Sequence, residues 1–215
     1  MRALTGVVLV KALDQAARWT RQGRLISVAV NLSAGSIMDA RLPEQVAAMA
    51  AARGLSPSVL VVEITEDVLV ADRERACAVL AALREMGVRI AVDDFGKGYS
   101  SLSYLRELPI DELKLDKSFV LSMMDDARAT ALVVSTIDLA HSLGFEMTAE
   151  GVEDERAYRA LSDYGCDLAQ GFFMSSPVSA EELDSWLESR DSEPAPGMGA
   201  LLAVEPGHGT VPGLV

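Results

Sequence analysis

Six short apolar runs recur along this chain, and each one ends on a polar or charged residue. Val28-Ala29-Val30 runs into Asn31, Leu60-Val61-Val62 into Glu63, and Arg89-Ile90-Ala91-Val92 into Asp93-Asp94. Leu113-Lys114-Leu115 runs into Asp116, Glu146-Met147-Thr148-Ala149 into Glu150, and Leu168-Ala169 into Gln170. Continuous apolar runs mark strands buried on both faces, and their alternation with helical segments implies a parallel sheet covered by helices. In a β/α barrel the C-terminal ends of the strands form the rim on which active sites are built. One such residue alone would be an ordinary loop residue, but six in the same position define an α/β protein with a polar rim.

The segments between the runs carry helix punctuation. Residues 4–22 predict a helix with Val7, Val8, Ala12, Ala16 and Trp19 near one face. Pro43 falls in a first turn and Gly54 just past a last one, which brackets a second helix. Asp72 is placed to cap a helix that carries Ala76, Val79, Leu80, Leu83 and Met86 and stops at Gly87. Residues 126–143 and 154–164 predict two more, closed by Gly144 and Gly165. Ser179 with Glu182 forms a capping box that opens the helix of Leu183, Trp186 and Leu187. Beyond Arg190 the character changes. Residues 191–215 hold four of the 8 prolines and five of the 16 glycines without periodicity, which predicts a disordered tail behind a single domain over 1–190.

Charge narrows the function. The chain has a net charge of -13, whereas a duplex nucleic-acid binder needs a basic face. The same field repels an anionic substrate, so phosphate chemistry in this body needs bridging cations. The strand-end residues supply them with an oxygen-rich set free of histidine and cysteine, suited to Mg2+ or Mn2+ rather than zinc. No apolar stretch approaches the roughly 18 residues of a membrane span. Cys77 and Cys166 have neither metal-ligand spacing nor a disulfide framework, and the expectation is two reduced thiols in a cytoplasmic protein.

Several of these segments form an ordered set. Val30-Asn31-Leu32-Ser33, Glu63-Ile64-Thr65-Glu66, Asp93-Asp94-Phe95-Gly96, Gly98-Tyr99-Ser100-Ser101-Leu102, Lys114-Leu115-Asp116, Ala149-Glu150-Gly151-Val152-Glu153 and Gln170-Gly171 together resemble the motifs of EAL domains. Order and spacing match from about residue 5 to residue 190. The resemblance implies a TIM-like (β/α) barrel that hydrolyses cyclic-di-GMP to the linear dinucleotide with two divalent metal ions. Carried over by position, it implies that Asn31, Glu63 and Asp93 ligate one metal, with Asp93 bridging to a second that Asp94 and Glu150 help to hold. Lys114 is implied to hold or polarise the attacking water, Glu153 and Gln170 to orient the outer shell, and Glu66 to anchor the loop through 96–102. Asp116 is either part of this set or a cap for Lys117-Ser118-Phe119.

Two departures from the family pattern set further expectations. The hairpin bearing the Glu-Ala-Leu motif is absent, and no glutamate occurs before Glu44. The expected fold is therefore an incomplete barrel with six of eight strands, edged by the Asn31 strand and the Gln170 strand. The gap calls for a homodimer mate, a partner protein, the chain's own tail or upstream sequence lost to a misplaced start, and catalysis should be weak for want of one ligand. The alternative is an inactive module that binds cyclic-di-GMP or a protein. The second departure is Asp94-Phe95-Gly96-Lys97-Gly98, where the family usually has threonine in place of Lys97. That lysine either competes with a cation or points into solvent.

Overall fold

The computed structural model describes residues 2–66, 68, 72–97, 105–190 and 199–201. The chain divides into two compact units, Met1–Asp116 with Asp138–Met147, and Lys117–Ile137 with Thr148–Val215.

The first unit opens with the helix Arg2–Arg21. Its buried stripe is Leu9, Leu13, Ala16 and Trp19, whereas Val7 is 52% exposed. The spacing of 9, 13 and 16 is i, i+4, i+7, so the seam lies beside the Val7-Val8-Ala12 face expected from the sequence. The leucines, which bury more apolar surface than valine or alanine, set it. Leu13 and Ala16 pack with Ala50, from the helix Leu42–Ala51, and with Leu55. A short helix over Ala34–Ile37 had no legible periodicity.

Four strands follow in chain order: β1 (Val28–Asn31), β2 (Leu60–Thr65), β3 (Arg89–Phe95) and β4 (Glu112–Leu115). Each pairs in parallel with the next. β4 is buried along its whole length, and β2 has Leu60, Val62 and Ile64 fully enclosed, as expected of a parallel sheet covered on both faces. Between β2 and β3 the helix Arg73–Glu85 starts at Asp72, whose carboxylate accepts from the Arg75 amide. It stops before Gly87, which takes φ +90°, a conformation glycine adopts without steric penalty.

The second unit contains the helices Lys117–Ser122, Glu155–Asp163 and Ala180–Arg190, and most of Ala127–Leu143. β5 (Glu146–Glu150) enters it at Thr148 and pairs in parallel with β6 (Leu168–Gln170). The capping box at 179–182 is formed in both directions: the Ser179 amide donates to Glu182 at 2.9 Å, and the Glu182 amide to the Ser179 hydroxyl at 3.2 Å. One expectation is corrected. β6 was to be an edge strand, yet Gly199–Leu201 of the tail forms β7 in parallel with it, Gln170 facing Leu201. A three-residue strand flanked by proline and glycine carries no alternation from which to read it, and backbone pairing alone selects it.

Candidate functional site

In the first unit the parallel register brings the strand-end residues together. Asn31 lies opposite Glu63, and the Asn31 amide nitrogen donates to Glu63 Oε2 at 2.9 Å. That bond turns the amide oxygen to the other side, where it can serve as a ligand. Two strands further, β4 contributes Lys114, only 3% exposed. Its ammonium lies 2.7 Å from Glu63 Oε1 and 3.4 Å from Asp93 Oδ1. A buried ammonium persists only when carboxylates compensate it. Glu63 and Asp93 do so, and they are thereby fixed in place by the lysine they neutralise.

Asp93 and Asp94 are consecutive residues of β3, and on a regular strand they would point to opposite faces. The β3–β4 register shifts between Val92 and Phe95. Asp94 takes φ 55°, the only positive φ at a non-glycine residue among those described. A bulge of this kind re-aims side chains next to active sites and stores strain there. The Asp93 carboxylate accepts from the Asp94 amide at 3.0 Å, which ties the pair together.

Lys97 follows directly. Its ammonium lies 2.7 Å from Asp94 Oδ1 and 2.8 Å from Asp116 Oδ2. The hydrogen bond to Asp116, then that to Asp94, holds this lysine well above its ordinary pKa. Asp116 is 1% exposed and pairs its carboxylate with Lys97. Lys97 is bound to carboxylates rather than turned to solvent. Nothing in the local sequence indicated the Lys97–Asp116 pair. The one signal was a cationic side chain at a position where the family pattern has a neutral one. Glu66 accepts from the Gly96 amide at 3.1 Å, across thirty residues of chain. The motif Gly98-Tyr99-Ser100-Ser101-Leu102 lies outside the described residues.

Glu63, Asp93, Asp94 and Asp116 are thus set against Lys114 and Lys97, four carboxylates against two ammonium groups, a net of -2 (2 minus 4) within the set. Carboxylate and amide oxygens with a surplus of negative charge fit a hard divalent cation such as Mg2+ or Mn2+.

The second unit presents Glu150 at the end of β5, in register with Gln170 of β6. Here the backbone packs closely around the strand ends. After Glu150 the chain turns at Gly151, φ +71°, where a Cβ would come within 2.5 Å of Lys117 Cβ. The Val152 amide donates to the Gln170 carbonyl at 3.1 Å, and the Phe173 amide to the Val152 carbonyl at 3.0 Å. Gly171 sits so close that a Cβ would meet the Val152 carbonyl oxygen at 2.2 Å. Glu153 is exposed and immediately precedes Asp154, which caps the helix Glu155–Asp163.

The EAL domain family matches residues 1–177, and the chain belongs to that family. Its fold class is accordingly the EAL type, α/β with parallel strands. A cyclic di-GMP phosphodiesterase of Pseudomonas aeruginosa is 37% identical over 187 residues, which cover 87% of this chain and 32% of that protein. Among solved structures, the EAL domain of Mycobacterium smegmatis DcpA has a TM-score of 0.80 at 38% identity, covering 85% of this chain and 82% of that one. The PaMucR phosphodiesterase in complex with c-di-GMP has a TM-score of 0.79 at 37% identity, covering 84% and 74%. The chain spans about a third or less of the curated relatives it matches, 32%, 24% and 30% of the first three. Among the described residues no helix is long and apolar enough to cross a membrane.

Proposed function

We propose that this chain is a phosphodiesterase domain that hydrolyses cyclic-di-GMP to the linear dinucleotide with Mg2+ or Mn2+. The observation that carries the reading is the buried Lys114 ammonium held by Glu63 and Asp93 at the end of three adjacent strands. Divalent ions bound at this rim would polarise the phosphoryl oxygen, lower the pKa of the attacking water and neutralise charge in the transition state. Asn31, Glu63 and Asp93 are the ligands of one ion, with Asp93 and Asp94 offering oxygens to a second. In the second unit Glu150 supplies a further carboxylate oxygen.

Lys114 acts on the nucleophile. Its ammonium, held from two sides by carboxylates, donates to the oxygen of the attacking water and keeps a lone pair aimed at phosphorus. Misplacement of such a water by about 1 Å costs on the order of 10²-fold in rate. Gln170, registered beside Glu150, and the exposed Glu153 orient groups around the second unit's rim. Glu66 holds the start of the loop after β3 through the Gly96 amide.

The test is product chromatography after incubation with cyclic-di-GMP and Mn2+ or Mg2+. Metal-dependent turnover that Glu63→Ala and Lys114→Ala both abolish is the expected result, and turnover untouched by either variant would sink the assignment. A second reading, binding of cyclic-di-GMP without turnover, is favoured by one observation: Lys97 already occupies Asp94. Calorimetric binding with no product would select it.

A cytoplasmic location and association with a second copy or a partner protein complete the proposal. The first rests on free thiols at Cys77 and Cys166. The second rests on Leu4, Val7 and Val10, exposed at helical spacing on the first helix at 46%, 52% and 37%. Light scattering that shows a lone chain would remove self-association.

A further inference from the structure

Lys97 carries the inference furthest. Its ammonium is seated between two carboxylates, 2.7 Å from Asp94 and 2.8 Å from Asp116, in the manner of a small bridging cation. The Asp116 side chain is 1% exposed while that of Lys97 is 50% exposed. The anion is therefore fixed in the protein, and the cation reaches it on a flexible stem from the solvent side. A buried carboxylate demands a positive partner, but it does not specify which one. The Asp94 backbone is held by its φ of 55° and by its amide bond to Asp93, which sets where its carboxylate starts from.

We propose that the Lys97 ammonium is a built-in rival of the second divalent cation, so that this chain takes up that ion only by expelling its own lysine from Asp94 and Asp116. The inference rests on the reading of Asp93 and Asp94 as cation ligands. A divalent ion brings two positive charges to these oxygens, and it meets less attraction wherever a lysine already supplies one. The first ion, at Asn31, Glu63 and Asp93, meets Lys114 rather than Lys97. The two ions should therefore bind in two classes, only one of which responds to Lys97. Full metal loading, and with it any turnover, would become a function of divalent ion concentration. The displaced lysine would then be free to meet the negative phosphodiester.

The experiment is a Mn2+ titration of the full chain, read by the electron spin resonance of free Mn2+ and by calorimetry without nucleotide. Lys97→Met removes the charge at nearly constant length, Lys97→Thr restores the family's usual residue, Lys97→Arg keeps the charge, and Asp93→Asn removes the shared ligand. Lys97→Met and Lys97→Thr should each raise the affinity of one class by about tenfold or more and leave the other unchanged, whereas Lys97→Arg should stay close to the unmodified chain. Without metal, both neutral variants should melt at a lower temperature than the unmodified chain, and Mn2+ should raise them more. If both neutral variants give the unmodified isotherm while Asp93→Asn loses binding, the rivalry is overturned and the cation site stands. If Asp93→Asn binds Mn2+ as well as the unmodified chain, the cation reading fails and takes the rivalry with it.

Discussion

The strand-end residues of the two units sit in different surroundings. In the first unit the charged side chains hold one another: Glu63 and Asp93 around Lys114, Asp94 and Asp116 around Lys97. In the second, the strand ends at Glu150 and Gln170 are in register, and the backbone closes tightly around them at the Val152 amide, Gly151 and Gly171. A site held by ion pairs can exchange its cations, because an ammonium and a divalent ion satisfy the same oxygens. A site held by close backbone packing cannot be altered without moving the chain. The first arrangement suits a place where ions enter and leave, and the second suits a fixed wall.

The largest effect is expected where the charge pairing is most buried. Lys114→Met leaves Glu63, 9% exposed, and Asp93 without their shared ammonium. Removal of one partner from a buried pair costs about 3–5 kcal/mol. If the first unit is held by exchangeable charge, millimolar Mn2+ should recover most of that loss in a urea titration. A loss that Mn2+ leaves untouched would break the comparison, since it would make the lysine's packing, rather than its charge, the stabilising element.

The second unit should respond in the opposite way. Gly171→Ala drives a Cβ to 2.2 Å from the Val152 carbonyl oxygen and 2.4 Å from its amide nitrogen. Those are backbone atoms and cannot rotate aside, so the cost belongs at the upper end of overpacking, about 3 kcal/mol. Divalent ions should restore none of it. Recovery by Mn2+ comparable to that of Lys114→Met would mean that charge organises both halves alike.

The sequence disclosed the first half's members but not their pairings. Asn31, Glu63, Asp93 and Lys114 were legible because each ends or interrupts an apolar run, a position that a parallel α/β fold reserves for its rim. The runs themselves seemed too short. β2 continues from Val62 to Thr65 and β3 from Val92 to Phe95, because neighbouring strands pair charged residues that local pattern assigns to loops. The β3 bulge was not legible, since a register shift depends on two strands at once. Nor was the bridge from Lys97 to Asp116: a lysine after glycine looks solvated, and only the fold shows that a buried carboxylate awaits it. In the second half the helix stops at Gly144 and Gly165 could be read from glycine's tolerance of positive φ. The role of Gly171 could not, because it depends on how closely Val152 approaches.

The smallest effect concerns pH, and it again separates the halves. In the second unit the Cys166 thiol, 6% exposed, is pushed up to about 12, chiefly by burial. In the unfolded chain a cysteine titrates near 8.5, so between about pH 8.5 and 12 the folded state keeps a proton that the unfolded state has lost. Stability from this group is complete below that window and falls as the pH rises through it, by about 1 kcal/mol at roughly pH 9.5. Lys97 in the first unit is held charged by Asp116 and Asp94 across most of the same window, so it adds no loss at that pH. Urea midpoints at about pH 7.5 and 9.5 should diverge in the unmodified chain and converge in Cys166→Ala, whatever the alanine itself does to stability at neutral pH. An undiminished alkaline loss in Cys166→Ala would reassign it to another group, and would mean that the second half too depends on a titrating charge.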